Sequence, residues 1–263
     1  MKIFSNGCSY TWGGGLYNLV EADESGKGHF LDYYNESPKN IDRLESVYPH
    51  HLGKVLGAEK VYNLSMGGGS NARIVRTTIE FFQNAMIAGE NLTDYFVTIQ
   101  WTDSNRTEFY DNNLFNCWVG MQHGYHLKEG YTDGIGEKNY IIKEIKDYYY
   151  KCMHSDMKSI EDTIQYITML GSFLKINNIP YVFFSHVDIF GHNIDPLAQE
   201  KFKKRIELID KQYVWWNGGS RQSVMSKTKF DAINNSHPSV LGHKQWAGTL
   251  HKWITKNKII KNI

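Results

Sequence analysis

The sequence predicts an α/β protein: a three-layer α/β/α sandwich around a central parallel sheet. Three observations predict it. Short apolar runs alternate with longer stretches of helical periodicity. The run Tyr95-Phe-Val-Thr-Ile-Gln-Trp101 is nearly continuous in apolar residues, as in a strand covered on both faces. Glycine-rich or polar blocks fall at strand ends and helix starts, where a parallel α/β sheet gathers its chemistry.

Each element follows from its local pattern. Lys2 to Ser5 is the first strand and runs straight into Gly7-Cys8-Ser9. Trp12 to Glu45 is rich in Gly, Asp, Glu and Asn with weak periodicity, and predicts a long decorated loop. Ser46 to Leu56 carries Val47, His51, Leu52, Val55 and Leu56 at helical spacing, and Gly57 stops it. Lys60 to Asn63 is a short strand feeding the loop Leu64 to Asn71, with Gly67-Gly68-Gly69 at its centre. Ser70 or Asn71 caps a helix from Ala72 to about Met86. Tyr95 to Trp101 is the third strand.

Thr102 to Asp156 is hard to read, apart from a helical stretch at Tyr140 to Tyr150. Met157 to Ile176 has strong helical periodicity, and Ile179 to Phe184 is the fourth strand. Gln199 to Tyr213 predicts a helix, and so does Val240 to Lys256. One domain over 1–263 is expected. Insertions at about 13–45 and 103–156 are placed to form a cap over the sheet edge.

Composition narrows the function classes. Of 263 residues, 41% are hydrophobic and 22% charged, as in a water-soluble globular chain. The formal net charge of +1 supplies no field for holding nucleic acid or an anionic membrane. Three cysteines, Cys8, Cys117 and Cys152, show no CxxC spacing, which argues against a disulfide framework and a structural zinc site. His50, His51, His123, His126 and His192 lack metal-ligand spacing with a carboxylate, so no metal and no cofactor are expected. The first residues already read as a strand rather than a signal peptide, and no run reaches the ~18 apolar residues of a membrane span. A cytoplasmic location is expected, which is compatible with later packaging in a virus particle.

Four blocks carry the chemistry: Gly7-Cys8-Ser9, Asn63 to Asn71, Gln100-Trp101-Thr102-Asp103, and Asn234-Asn235-Ser236-His237-Pro238. Their order resembles that of the SGNH hydrolases, also called GDSL esterases. The resemblance implies the flavodoxin-like sheet of that family and metal-independent ester hydrolysis. It implies Ser9 as nucleophile, Gly68 as the oxyanion glycine and His237 as the base. A serine hydroxyl is a weak nucleophile until a base takes its proton, and histidine titrates in the right range. The amides of Ser9 and Gly68 then hold the oxyanion, each such donor being worth roughly 3 kcal/mol.

This chain departs from the family pattern at three positions. Cys8 replaces the aspartate of Gly-Asp-Ser. Thr102 replaces the oxyanion asparagine, with Asn71 or Asn105 as substitute donors. Asn234 stands at the acid position three before His237, leaving three alternatives: Asn234 itself, Asp231, or a Ser-His dyad. Cys8 is not expected to share the nucleophile's role, because adjacent residues on a turn point apart. Arg106 and Glu108 are expected to form an ion pair pinning their loop. Trp12, Trp101 and Trp246 flank three blocks, either walling a pocket or packing beneath it.

The reading is a serine esterase removing acetyl or another small acyl group from a carbohydrate or similar ester, with a small-molecule or glycan ester as its partner. Two other readings stand beside it: a catalytically inactive binding or structural module of the same fold, and an acyltransferase.

Overall fold

The described residues of the computed structural model are 1–14, 16, 43–112, 117–122, 139–185, 196–209, 214–215 and 237–260. In chain order they form β1 (Lys2–Asn6), α1 (Ser9–Trp12), α2 (Tyr48–Leu56), β2 (Lys60–Asn63), α3 (Asn71–Ile87), β3 (Tyr95–Trp101), β4 (Arg106–Asp111) and β5 (Cys117–Gln122). These are followed by α4 (Asn139–Tyr148), α5 (Asp156–Ile176), β6 (Tyr181–Ser185), α6 (Pro196–Glu207), β7 (Val214–Trp215) and α7 (Val240–Lys256).

The main sheet is parallel, in the order β2-β1-β3-β6-β7. Counting only its own strands, that is the 2-1-3-4-5 order of flavodoxin-like doubly wound sheets. The chain steps outward from β1 in both directions. A crevice therefore opens past the carboxyl ends of β1 and β3, and Ser9 lies just beyond β1.

Alternating side chains send each strand into two cores. Ile3, Phe96, Val182 and Phe184 pack with Leu52 of α2 and with Trp246 and Leu250 of α7. Phe4, Val97, Ile99 and Phe183 pack with Ile74 and Phe82 of α3 and with Ile167 and Leu170 of α5. The three layers expected from the sequence are thus present. All seven residues of β3 are buried, which accounts for its nearly continuous apolar run.

Helix ends follow side-chain chemistry. Ser70, Ser155 and Ser239 cap α3, α5 and α7, accepting from the amides of Arg73, Lys158 and Gly242. Gly57 closes α2 with φ +64°.

Several expectations shift. The helix expected from Ser46 begins at Tyr48, with Pro49 in its first turn. The helix expected over Gln199 to Tyr213 is α6, which spans Pro196–Glu207, while Val214–Trp215 pairs with β6 as a two-residue strand. A pairing that short leaves no periodicity to read. The unread stretch after Trp101 holds an antiparallel hairpin, β4 with β5, which packs against α3. The insertion at about 13–45 lies almost wholly outside the described residues. Among the described residues, no helix is long and apolar enough to cross a membrane.

Candidate active site

The turn that carries Ser9 is set by its neighbours. Asn6, at the end of β1, is buried; its Nδ2 donates to Thr77 Oγ1 (2.9 Å), Thr78 Oγ1 (3.0 Å) and the Ile74 carbonyl (3.3 Å). Its Oδ1 accepts the Gly7 amide at 2.9 Å. Asn6 therefore bolts the strand end to α3. A Cβ on Gly7 would lie 2.5 Å from Thr11 Oγ1 and 2.9 Å from Gln100 Cβ, so glycine is required by space. The Cys8 carbonyl accepts from the amides of Thr11 (3.1 Å) and Trp12 (3.0 Å) and starts α1. The Cys8 side chain points inward, fully buried, with Sγ 3.8 Å from Gln100 Oε1. Ser9 is left on the partly exposed side of the turn.

His237 arrives from the far end of the chain. It precedes α7, whose cap Ser239 fixes the entry of the helix. Its Nε2 lies 2.9 Å from Ser9 Oγ, a hydrogen bond spanning 228 positions of sequence. The Tyr10 ring lies against the imidazole, with centroids 4.8 Å apart at 35°. Gly14 closes the other approach: a Cβ there would lie 2.9 Å from His237 Cδ2 and 3.0 Å from Nε2. The Gly14 amide donates to the Ser9 carbonyl at 2.7 Å. Tyr10 and Gly14 were missed in the sequence. The signal for Gly14 was the glycine run after Trp12, whose reason only the fold reveals.

The second block folds back onto the first. Asn63 Nδ2 donates to the Thr11 carbonyl at 3.0 Å. Its Oδ1 accepts from the Ser65 amide at 3.2 Å and from the Ser65 hydroxyl. The Met66 amide donates to the Gly7 carbonyl at 3.2 Å. These anchors, at Gly7 and Thr11, bracket Ser9. Gly68 adopts φ +71° with open space where a Cβ would stand. A non-glycine residue would be strained there.

The third block is clamped rather than open. Asn71 Oδ1 accepts the Thr102 amide at 2.9 Å, and Nδ2 donates to the Thr102 carbonyl at 3.1 Å and to Thr163 Oγ1 at 3.3 Å. Both amide protons of Asn71 are engaged, so it holds the Thr102 peptide instead of presenting a donor to the cleft. Thr102 is fully buried, and its Oγ1 has no hydrogen-bond partner among the described residues. Asn105 is half-buried, and its carbonyl accepts from Tyr150 Oη at 2.7 Å. Asn234, Asp231 and Ser236 lie outside the described residues.

The ion pair expected between Arg106 and Glu108 is not formed. Glu108 is held by Arg76 of α3, Nε to Oε1 at 2.9 Å and Nη2 to Oε2 at 3.0 Å. Residues two apart on a strand share a face, but the α3 guanidinium meets the carboxylate in a two-pronged geometry. The three tryptophans are core material. Trp101 and Trp246 are at most 1% exposed, against Phe183 and Phe184, and Trp12 carries the Arg43 guanidinium 4.0 Å above its ring.

His243, one turn into α7, is wholly buried. Its Nδ1 accepts the Tyr48 amide at 3.2 Å, and burial pushes its pKa down to about 3. His50 and His51 are also lowered, chiefly by burial. His123, His126 and His192 lie outside the described residues. Among the described residues, no group of three or more His, Cys, Asp or Glu is placed to hold a metal ion.

The chain belongs to a family described as a family of unknown function (DUF6071), whose model matches residues 33–262. No curated protein matches it by sequence. Among solved structures it is similar to a psychrotrophic esterase, EstA, from Pseudoalteromonas sp., at 10% identity over 97% of both chains, with a TM-score of 0.46. It is similar to an acetyl xylan esterase, Est2A, from the rumen bacterium Butyrivibrio proteoclasticus, at 13% identity over 98% of this chain and 65% of that one (TM-score 0.47). It is also similar to a carbohydrate esterase family 2 enzyme with a carbohydrate-binding domain from Corynascus thermopiles (Myceliophthora fergusii). That match has 11% identity over 98% of this chain and 66% of the other, with a TM-score of 0.47.

Proposed function

We propose that the protein is a metal-independent serine esterase of the SGNH type, removing acetyl or another small acyl group from a carbohydrate or similar ester. The observation that carries the reading is the 2.9 Å hydrogen bond between Ser9 Oγ and His237 Nε2, past the carboxyl end of β1. Nucleophile and base within hydrogen-bond reach are the signature of an activated hydroxyl.

In this reading His237 Nε2 takes the Ser9 proton as Oγ attacks the acyl carbonyl. The tetrahedral oxyanion is held by the amides of Ser9 and Gly68, with open space at Gly68 for close approach. His237 then gives its proton to the leaving alkoxide, and the alcohol departs. Water, deprotonated by His237, releases the acid and restores Ser9. Asn71 acts through Thr102, fixing the peptide at the third block. Asn234 or Asp231 orients the imidazole, or Ser9 and His237 act as a dyad.

A second reading is a catalytically inactive binding module. It is favoured by the third block, where the Thr102 hydroxyl is buried and the Asn71 protons are engaged. A fluorophosphonate probe separates the two. The esterase reading expects labelling at Ser9, located by mass spectrometry and abolished in His237→Ala. A folded protein that is never labelled sinks it and leaves the binding module.

A further inference from the structure

Arg106 opens β4, four residues beyond Thr102. Its Nε and Nη1 are both shut off from solvent, and neither has an acceptor among the described residues. The nearby carboxylates are taken. Glu108, on the same strand face, is held by Arg76 through two bonds. Asp162 of α5 is held by Lys158, one turn before it. Arg106 lines a small polar cavity of about 20 Å³ together with Asn105, Tyr149, Asp162 and Thr163. Asn71 lines the same cavity while clamping the Thr102 peptide, so the cavity backs directly onto the third block.

Two guanidinium nitrogens withdrawn from water with no acceptor are unfavourable, even with the Asp162 side chain on the same cavity wall. A cost of this kind, next to a candidate active site, is relieved by a ligand that supplies the missing acceptor. Asn105 has the same need: its Oδ1 is buried with no donor among the described residues. In the other amide orientation it turns Nδ2 toward the space and adds a second donor. A volume of this size accepts about one water-sized group. It fits one oxygen of a planar carboxylate entering edge-on.

We propose that Arg106 and Asn105 form an anion subsite that takes a carboxylate carried by the substrate, making the preferred ester one on an acidic sugar or similar acid. The substrate class rests on the esterase reading; the anion site does not.

The test uses full-length Ser9→Ala protein, so it needs no turnover. Thermal melts are taken with glucuronate, with glucose as the neutral control and with inorganic phosphate. Glucuronate is expected to raise the melting temperature, and glucose and phosphate are not. Arg106→Gln should weaken the glucuronate response by about tenfold or more, the scale of one charge-assisted hydrogen bond. It should also leave the free protein's melting temperature unchanged or higher, because a buried charge with unmet donors has been removed. Arg106→Lys, which keeps the charge and loses the fork, gives a second folded variant with a weakened response. An unresponsive parent protein, an equal or larger phosphate effect, or a lower melting temperature in Arg106→Gln with the glucuronate response intact would each overturn the proposal. If the subsite exists and the esterase reading is wrong, glucuronate still binds while Ser9 in the wild-type protein stays unlabelled.

Discussion

A side chain at position 14 would compete with His237 for the same space. Its Cβ would stand 2.9 Å and 3.0 Å from two imidazole atoms and 3.3 Å from Ser9 Cβ. The backbone on this side is tied to Ser9 by the 2.7 Å Gly14 amide bond, so the imidazole is the part that must move. Gly14→Ala is therefore expected to slow fluorophosphonate labelling of Ser9 by about a hundredfold, the scale of an ångström of misplacement. Its melting temperature should stay close to wild type. Tyr10 supports the ring from its other contact, and Tyr10→Phe, which keeps the ring, should label faster than Tyr10→Ala. Labelling of Gly14→Ala at the wild-type rate would mean that the imidazole has freedom the packing does not suggest. This part of the site was only half legible in the sequence. Ser9, Gly68 and His237 stand in blocks whose order can be read. Gly14 matters through a histidine more than two hundred positions away, and the local glycine run after Trp12 does not say which of its glycines is needed or why.

Among the elements, the β4–β5 hairpin is tied to α3 by a charged contact, Glu108 with Arg76. Its polar strand, Arg106-Thr-Glu-Phe-Tyr-Asp111, has no apolar face of the kind that makes β3 readable. Glu108 finds its partner on α3 rather than on its own strand, so the strand signal is absent from the local pattern. Glu108 is the anchor, with its side chain only 5% exposed against 29% for Arg76. Glu108→Gln keeps the shape and removes the charge. The hairpin amides should then exchange faster by about tenfold, corresponding to a loss near 1.4 kcal/mol for a partly buried charged pair. The amides of β1 and β3 should keep their protection. Uniform loss across the sheet would show the hairpin to be part of the global folding unit. The same hairpin brings Gly120 to the second block, where a Cβ would stand 3.9 Å from the Gly68 carbonyl. Loosening it should therefore also slow Ser9 labelling.

Across the whole molecule, the two helical layers differ in how they respond to pH. The α3–α5 layer closes over an apolar core. The α2–α7 layer contains His243, which joins the two helices through the Tyr48 amide across 195 positions. The ring is neutral in the fold, because burial holds its pKa near 3. In the unfolded chain it titrates at the ordinary histidine value of about 6.5. Between these values the unfolded state binds the extra proton, so stability rises with pH there. The contribution is complete above about pH 6.5. It is lost at up to about 1.4 kcal/mol per unit as pH falls toward 3. His50 and His51, also lowered by burial, act in the same direction. His243→Asn keeps an acceptor near Nδ1 for the Tyr48 amide and cannot titrate. Urea unfolding from pH 7.5 to 4.5 should show a shallower decline for this variant than for wild type. The difference should approach one proton at the acid end, whatever the other groups contribute to both. Parallel curves would mean that His243 is protonated in the fold, and that the α2–α7 layer opens to water well before the protein unfolds.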